Sequence, residues 1–200
     1  MSPLVALALL SPLPQQGPIV ADFKDPKGVN AVSIATDGAM EPFFGMASGV
    51  SGKLRFDPAN PEATTGDIIV KTQSIKLPLP ELEESMKAEW CLDAEKYPDI
   101  VFSIDKISDV KRNGNRYDGT VTGRLTLHGV TKPLTTTAST TFLAGKAKER
   151  FGDKPGDLLV VRCDFEFNRL DFGIGKGLSE QLVSNMVKVR VAIVGTALHP

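Results

Sequence analysis

Leu158-Leu159-Val160-Val161-Arg162-Cys163-Asp164-Phe165-Glu166-Phe167-Asn168 decides the fold class. Leu159, Val161, Cys163, Phe165 and Phe167 fall on one phase of two, with Arg162, Asp164 and Glu166 on the other. Successive side chains of a strand point to opposite faces, so this stretch is a strand with one apolar and one wet face. Met186 to Ala197 repeats the pattern: Val187, Val189, Val191 and Ile193 alternate with Lys188, Arg190 and Ala192.

Upstream, the same reading predicts strands over Val29 to Thr36, Met46 to Phe56, Asp67 to Gln73, Ile100 to Val110, Tyr117 to Leu127 and Thr131 to Phe142. Ile100, Phe102 and Ile104 share one face of the fourth, and Val121, Leu125 and Leu127 one face of the fifth. The threonine-rich sixth suits an exposed sheet face. Asn113-Gly114 is a hairpin signal, His128-Gly129-Val130 a tight reversal, and Asp57-Pro58-Ala59-Asn60-Pro61 a turn. Eight alternating segments with hairpin punctuation predict an all-β, antiparallel eight-stranded barrel whose interior holds side chains or one small ligand. A two-sheet sandwich satisfies the same patterns and stays open. One helix interrupts them. Pro80 suits a first helical position, and Leu79, Leu82, Met86 and Trp90 fall on one stripe away from Glu81, Glu83, Glu84 and Lys87. This short helix is expected to cap one barrel end with its apolar stripe inward.

A chain of 200 residues with 42% apolar and 24% charged residues suits one globular domain. The 23 basic and 24 acidic residues nearly cancel, which disfavours electrostatic nucleic-acid binding. Two cysteines exclude a disulfide-rich scaffold, and two histidines leave little for metal or triad chemistry. Met1 to Gln16 carries an apolar run, Leu4 to Leu10, broken by prolines. It is too short to span a membrane and resembles the core of a secretory signal, although no Lys or Arg precedes Lys24. Residues 1–20 are therefore expected to be a signal or a disordered tail, and residues 21–200 the barrel domain.

Three motifs carry a family resemblance. Leu92-Asp93-Ala94-Glu95-Lys96-Tyr97-Pro98-Asp99-Ile100-Val101-Phe102 resembles the FD-x-x-x-YP-x-I-x-F signature of the YceI family. Gly123-Arg124-Leu125-Thr126-Leu127-His128-Gly129-Val130-Thr131-Lys132-Pro133 resembles its G-x-LT-x-x-GVTK hairpin, and Asn168-Arg169-Leu170-Asp171-Phe172-Gly173-Ile174 its R-x-DFG segment. The motifs keep the family order over about residues 29–197. Trp90-Cys91-Leu92 stands where the family has an aromatic pair, and the first strand lacks its His-Ser pair. The resemblance implies a lipocalin-like barrel that binds a polyisoprenoid lipid without a cofactor, in the periplasm or secreted. It leaves room for a homodimer and for a transient membrane or membrane-protein contact.

The inward phases make Phe56, Trp90, Ile100, Phe102, Leu125, Leu127, Phe165, Phe167 and Phe172 the expected cavity wall. The prenyl chain is expected to enter a continuous apolar tunnel tail-first, with its polar head left near the mouth. Arg169 either pairs with Asp171 or meets that head group as a bidentate donor; the pair is the favoured reading. His128 reads as a turn residue, because a catalytic triad needs partners that sequence does not place. Cys91 and Cys163 read as buried free thiols. Asp57, Asp67, Asp93 and Asp99 read as turn formers, Gly173 to Gly177 as a flexible loop, and Lys146, Lys148, Arg150 and Lys154 as a solvated hairpin tip. A non-enzymatic isoprenoid carrier or store is thus favoured over a barrel isomerase acting on an apolar substrate, and over a ligand-free sandwich.

Overall fold

The computed structural model describes residues 17–152 and 154–199. Met1 to Gln16, where the signal was expected, lies outside the described residues. The strands are β1 (Ile19–Asp22), β2 (Ala31–Asp37), β3 (Pro42–Ala47), β4 (Val50–Phe56), β5 (Thr65–Lys71), β6 (Ile75–Lys76), β7 (Asp99–Asn113), β8 (Arg116–Leu127), β9 (Val130–Leu143), β10 (Gly156–Asn168) and β11 (Met186–Leu198). Two short helices, α1 (Pro80–Lys87) and α2 (Ala147–Phe151), complete the fold. The strands run antiparallel in the order β1-β4-β5-β7-β8-β9-β10-β11, and β1 pairs back onto β11 at Asp22↔Thr196. That closes a ring of eight strands, so the barrel holds and the sandwich does not. β2, β3 and β6 extend the sheet from β11.

The structure corrects several expectations. The ring starts at Ile19, inside the stretch assigned to a leader or tail, and this strand was missed. Its apolar residues are few, Ile19, Val20 and Ala21, so four residues carry almost no period. Met46 to Phe56 is not one strand: Ser48-Gly49 breaks it, and the halves pair with different neighbours, β3 with β2 and β4 with β1 and β5. Gly49 is required there, because a Cβ would stand 2.7 Å from the Ser74 side chain.

The join from β1 to β2 depends on Asn30, only 2% exposed. Its amide donates to Phe23 O (2.8 Å) and Val194 O (3.1 Å), and its oxygen accepts from Val194 N (2.7 Å). The side chain thus replaces a ladder rung between the part of β11 paired with β2 and the part paired with β1. Nor is the 145–156 loop a solvated tip throughout. Arg150 Nη2 lies 2.7 Å from Asp25 Oδ1, with both side chains largely buried, and Asp25 also accepts from Val29 N at 2.8 Å. Asp57 and Asp93 do form turns: Asp57 accepts from Ala59 N at 2.9 Å, and Asp93 has φ 46°. Asp67 and Asp99 instead lie on β5 and β7, and Asp99 pairs with Lys71 at 2.6 Å.

Candidate functional site

The barrel interior is not filled. An inner cavity of about 120 Å³ is lined by Phe56, Phe102, Val110, Phe165 and Val191, among others. Small groups from β8 and β9 face them: Gly119, Thr136, Ala138 and Thr140. A second, outer cavity of about 270 Å³ lies beneath α1, between Phe43, Leu82, Met86, Phe167, Leu178 and Val187. The two share no lining residue. The lining thus falls into two cavities rather than the one continuous tunnel expected. On β11 the buried Val189 stands between Val191 of the inner cavity and Val187 of the outer one, and on β10 Phe165 and Phe167 divide between the two.

Of the expected wall, Phe56, Phe102 and Phe165 line the inner cavity, and Phe167 and Trp90 the outer one. Ile100, Leu125, Leu127 and Phe172 pack in the core beside the cavities and line neither. Phe172 meets Phe167 edge-on at 5.4 Å. Strict alternation misses Ile107, because β7 slips register between Ile104 and Lys106 and again between Ser108 and Lys111. The first bulge shifts the inward phase to Ile107, where strict alternation from Ile104 points out, and the second returns it to Val110. Thr136 and Thr140 were assigned to an exposed face. Adjacent Thr135 and Thr137 do face out, and threonine alone does not reveal which phase is inward.

The helix stripe is narrower than expected. Leu82 and Met86 are half-buried over the outer cavity, while Leu79 and Trp90 are 55% and 53% exposed, so Trp90 sits at the rim. Glu83 does not face away. It accepts from Lys76 Nζ (2.7 Å), Lys87 Nζ (2.7 Å) and Leu77 N (3.2 Å), tying α1 to β6. These lysine bonds, Lys76 first, hold its carboxyl down at about 2.

Arg169 departs most from expectation. It is 3% exposed, at the outer cavity wall, and does not pair with Asp171. Nε donates to Ser184 O (3.2 Å), Nη1 to Ile174 O (3.0 Å) and Gly175 O (2.6 Å), and Nη2 to Leu178 O (3.3 Å) and Val183 O (3.3 Å). All five guanidinium N–H groups are thus taken up by backbone carbonyls. Arg169 has none left for a head group; its work is to hold the 174–184 segment, whose Ile174, Leu178, Leu182 and Val183 form one side of the outer cavity. The glycine segment 173–177 is part of this clamp, with Gly173 at φ 73° and Gly175 at φ 56°.

His128 is a turn residue as expected, at φ 52° beside Gly129 at φ 71°. Its Nδ1 lies 2.9 Å from Phe172 O, and Tyr97 packs edge-on against the ring at 4.9 Å. Cys91 and Cys163 are free thiols, one at the wall of each cavity. Burial pushes both up to about 11, so neither is a ready thiolate.

The YceI-like domain model matches residues 25–195. A UPF0312 protein of Pseudomonas putida is 33% identical over 139 residues, 69% of this chain and 67% of its own length. Among solved structures, Burkholderia cenocepacia BcnA superposes with a TM-score of 0.67 at 20% identity, covering 82% of this chain and 95% of that one. A Saccharophagus degradans domain described as polyisoprenoid binding gives 0.61 at 12% identity, covering 90% and 98%. The sequence motifs, the ring of eight strands and the domain match over most of the chain agree, and the chain belongs to the YceI-like family.

Proposed function

We propose that the chain binds an isoprenoid lipid without chemical turnover, as a carrier or store in the periplasm or outside the cell. The observation that carries this reading is the largely apolar lining of both cavities, the inner one combining Phe56, Phe102 and Phe165 with Gly119, Thr136, Ala138 and Thr140. Such a wall recognises a branched hydrocarbon chain by burial alone. At about 0.8 kcal/mol per buried carbon, one five-carbon unit contributes roughly 4 kcal/mol before ordering costs. Three units, about 12 kcal/mol gross, reach micromolar binding after an association cost of about 4 kcal/mol. The polyisoprenoid-binding description of the Saccharophagus degradans domain supports the same ligand class. A prenyl quinone or a polyprenyl phosphate fits this chemistry, with its head outside the apolar wall.

Mass spectrometry of an organic extract of the purified protein tests the reading. A stoichiometric prenyl compound is expected. An extract without one, together with failure of farnesol to displace an apolar fluorophore, overturns it.

A further inference from the structure

The ring of strands has a gap in its wall. The β9–β10 ladder runs from Leu158↔Leu143 to Cys163↔Ala138 and stops. β9 continues against β8 as far as Leu127↔Val130, and β10 continues against β11 as far as Asn168↔Met186. Val130 to Thr137 and Asp164 to Asn168 therefore face each other without a ladder. At the point of divergence the Thr136 hydroxyl donates to Asp164 O at 2.8 Å. At the far end the strands are held again, where His128 Nδ1 meets Phe172 O at 2.9 Å. The result is a window closed above and below.

The sequence fits a free edge here. In a hairpin with a two-residue turn, hydrogen-bonded and non-bonded pairs alternate from the turn, so Leu127↔Val130 is bonded and Arg124↔Pro133 is not. The backbone nitrogen of Pro133 consequently points away from β8, toward the window, where no ladder donor is required. Proline in a sheet belongs on such an edge. Exposed Lys132 and Glu166 flank the gap, as charges blunt edges elsewhere.

The window opens on the inner cavity: Leu134 and Thr136 from β9 and Phe165 from β10 line both. Phe56, Tyr117 and Phe142, all buried and in ring contact, pack at one end of that cavity. At the other, buried Val189 lies on β11 between Val191 of this cavity and Val187 of the outer one. We propose that the β9–β10 window is the portal through which a slim, uncharged hydrocarbon chain reaches the inner cavity, sideways through the wall rather than through the mouth beneath α1. The proposal rests on the lipid-binding reading above and specifies its route.

The test uses the apolar fluorophore N-phenyl-1-naphthylamine and stopped-flow mixing, in a chain with Cys91→Ala and Cys163→Ala. Thr135→Cys and, separately, Glu166→Cys place a bulky polar maleimide on either side of the window; Phe44→Cys, at an exposed residue on the rim of the outer cavity, places it at the mouth. The association phase abolished by Ala138→Leu reports the inner cavity. Either window label should slow that phase at least tenfold and leave its equilibrium affinity within twofold, because a blocked route changes both rate constants alike. The mouth label should leave the phase within twofold of the unlabelled chain. Window labels without effect, or a mouth label that slows the phase as much, overturn the portal while binding stands. An unlabelled chain that binds no fluorophore overturns the lipid-binding reading instead.

Discussion

Filling the inner cavity separates a binding protein from a merely loose one. Ala138 lines the cavity from β9, beside its rung partner Cys163, and Ala138→Leu adds three carbons to the open space. An unfilled core cavity costs about 24 cal/mol per Å³, so about 120 Å³ costs roughly 3 kcal/mol. Three buried carbons return at most about 2.4 kcal/mol, and imperfect fit takes back about 1–3 kcal/mol. The variant should therefore keep its stability or gain about 1 kcal/mol, read from its urea midpoint. Its affinity for N-phenyl-1-naphthylamine at the inner cavity should fall at least tenfold. Unchanged affinity in a stabilised variant would show that the ligand does not occupy this cavity. A stability loss beyond about 3 kcal/mol would show that the space is not open, and would refute the volume argument itself.

Three further outcomes follow from the same geometry. Arg169→Met leaves five carbonyls without their charged donor and should cost about 3–5 kcal/mol in urea unfolding, with faster proteolysis within 174–184; Arg169→Lys, with three donors on a flexible stem, should recover only part, and a loss under about 1 kcal/mol in the Met variant refutes the clamp. His128→Gly keeps the positive-φ turn and should retain ligand, whereas Phe165→Asp, with an unpaired carboxylate in the cavity wall, should lose it; the reverse result in folded variants would move the isomerase reading ahead. The Glu83 carboxyl lies at about 2 in the folded chain against an ordinary 4.5, so its contribution is present above pH 4.5 and lost as pH falls toward 2; Glu83→Gln should flatten stability over that window, and an unchanged acid limb in the pH series refutes the Lys76–Glu83–Lys87 link.

β8, β10 and β11 were legible because each keeps its period along its length. They end within two residues of the positions read from sequence. What escaped was set by geometry that period cannot carry. β1 is too short to show a period, and it closes the ring through one paired position, Asp22↔Thr196. Two bulges in β7 move the inward phase without altering the apolar count. Arg169 was legible as a special residue but not in its role, because its partners are backbone carbonyls, which every residue has and no motif displays. The aromatic half of the site was read from Phe56, Phe102, Phe165 and Phe167. The small half, Gly119, Thr136, Ala138 and Thr140, was not, although empty space is made by small residues rather than large ones.

That small half decides whether such a barrel is a core or a container. Eight strands enclose an interior that ordinary side chains fill. Here the second β7 bulge turns Val110 toward β8, and the position opposite is Gly119, where a Cβ would stand 3.0 Å from Val110 Cγ2 and 3.2 Å from Ser108 O. A side chain at 119 would crowd the bulge, and the glycine leaves room beside Val110. Along β9 the inward series reads Leu134, Thr136, Ala138, Thr140, with the smallest residue in mid-strand facing Cys163 across the last rung of the ladder. A wall selected only for stability would put valine or isoleucine there, since both suit strands and both fill space. Keeping alanine and threonine forgoes roughly the 3 kcal/mol estimated for the cavity. An occupant that binds only the folded chain returns that energy by mass action, so stability should rise with ligand concentration where it does not in Ala138→Leu.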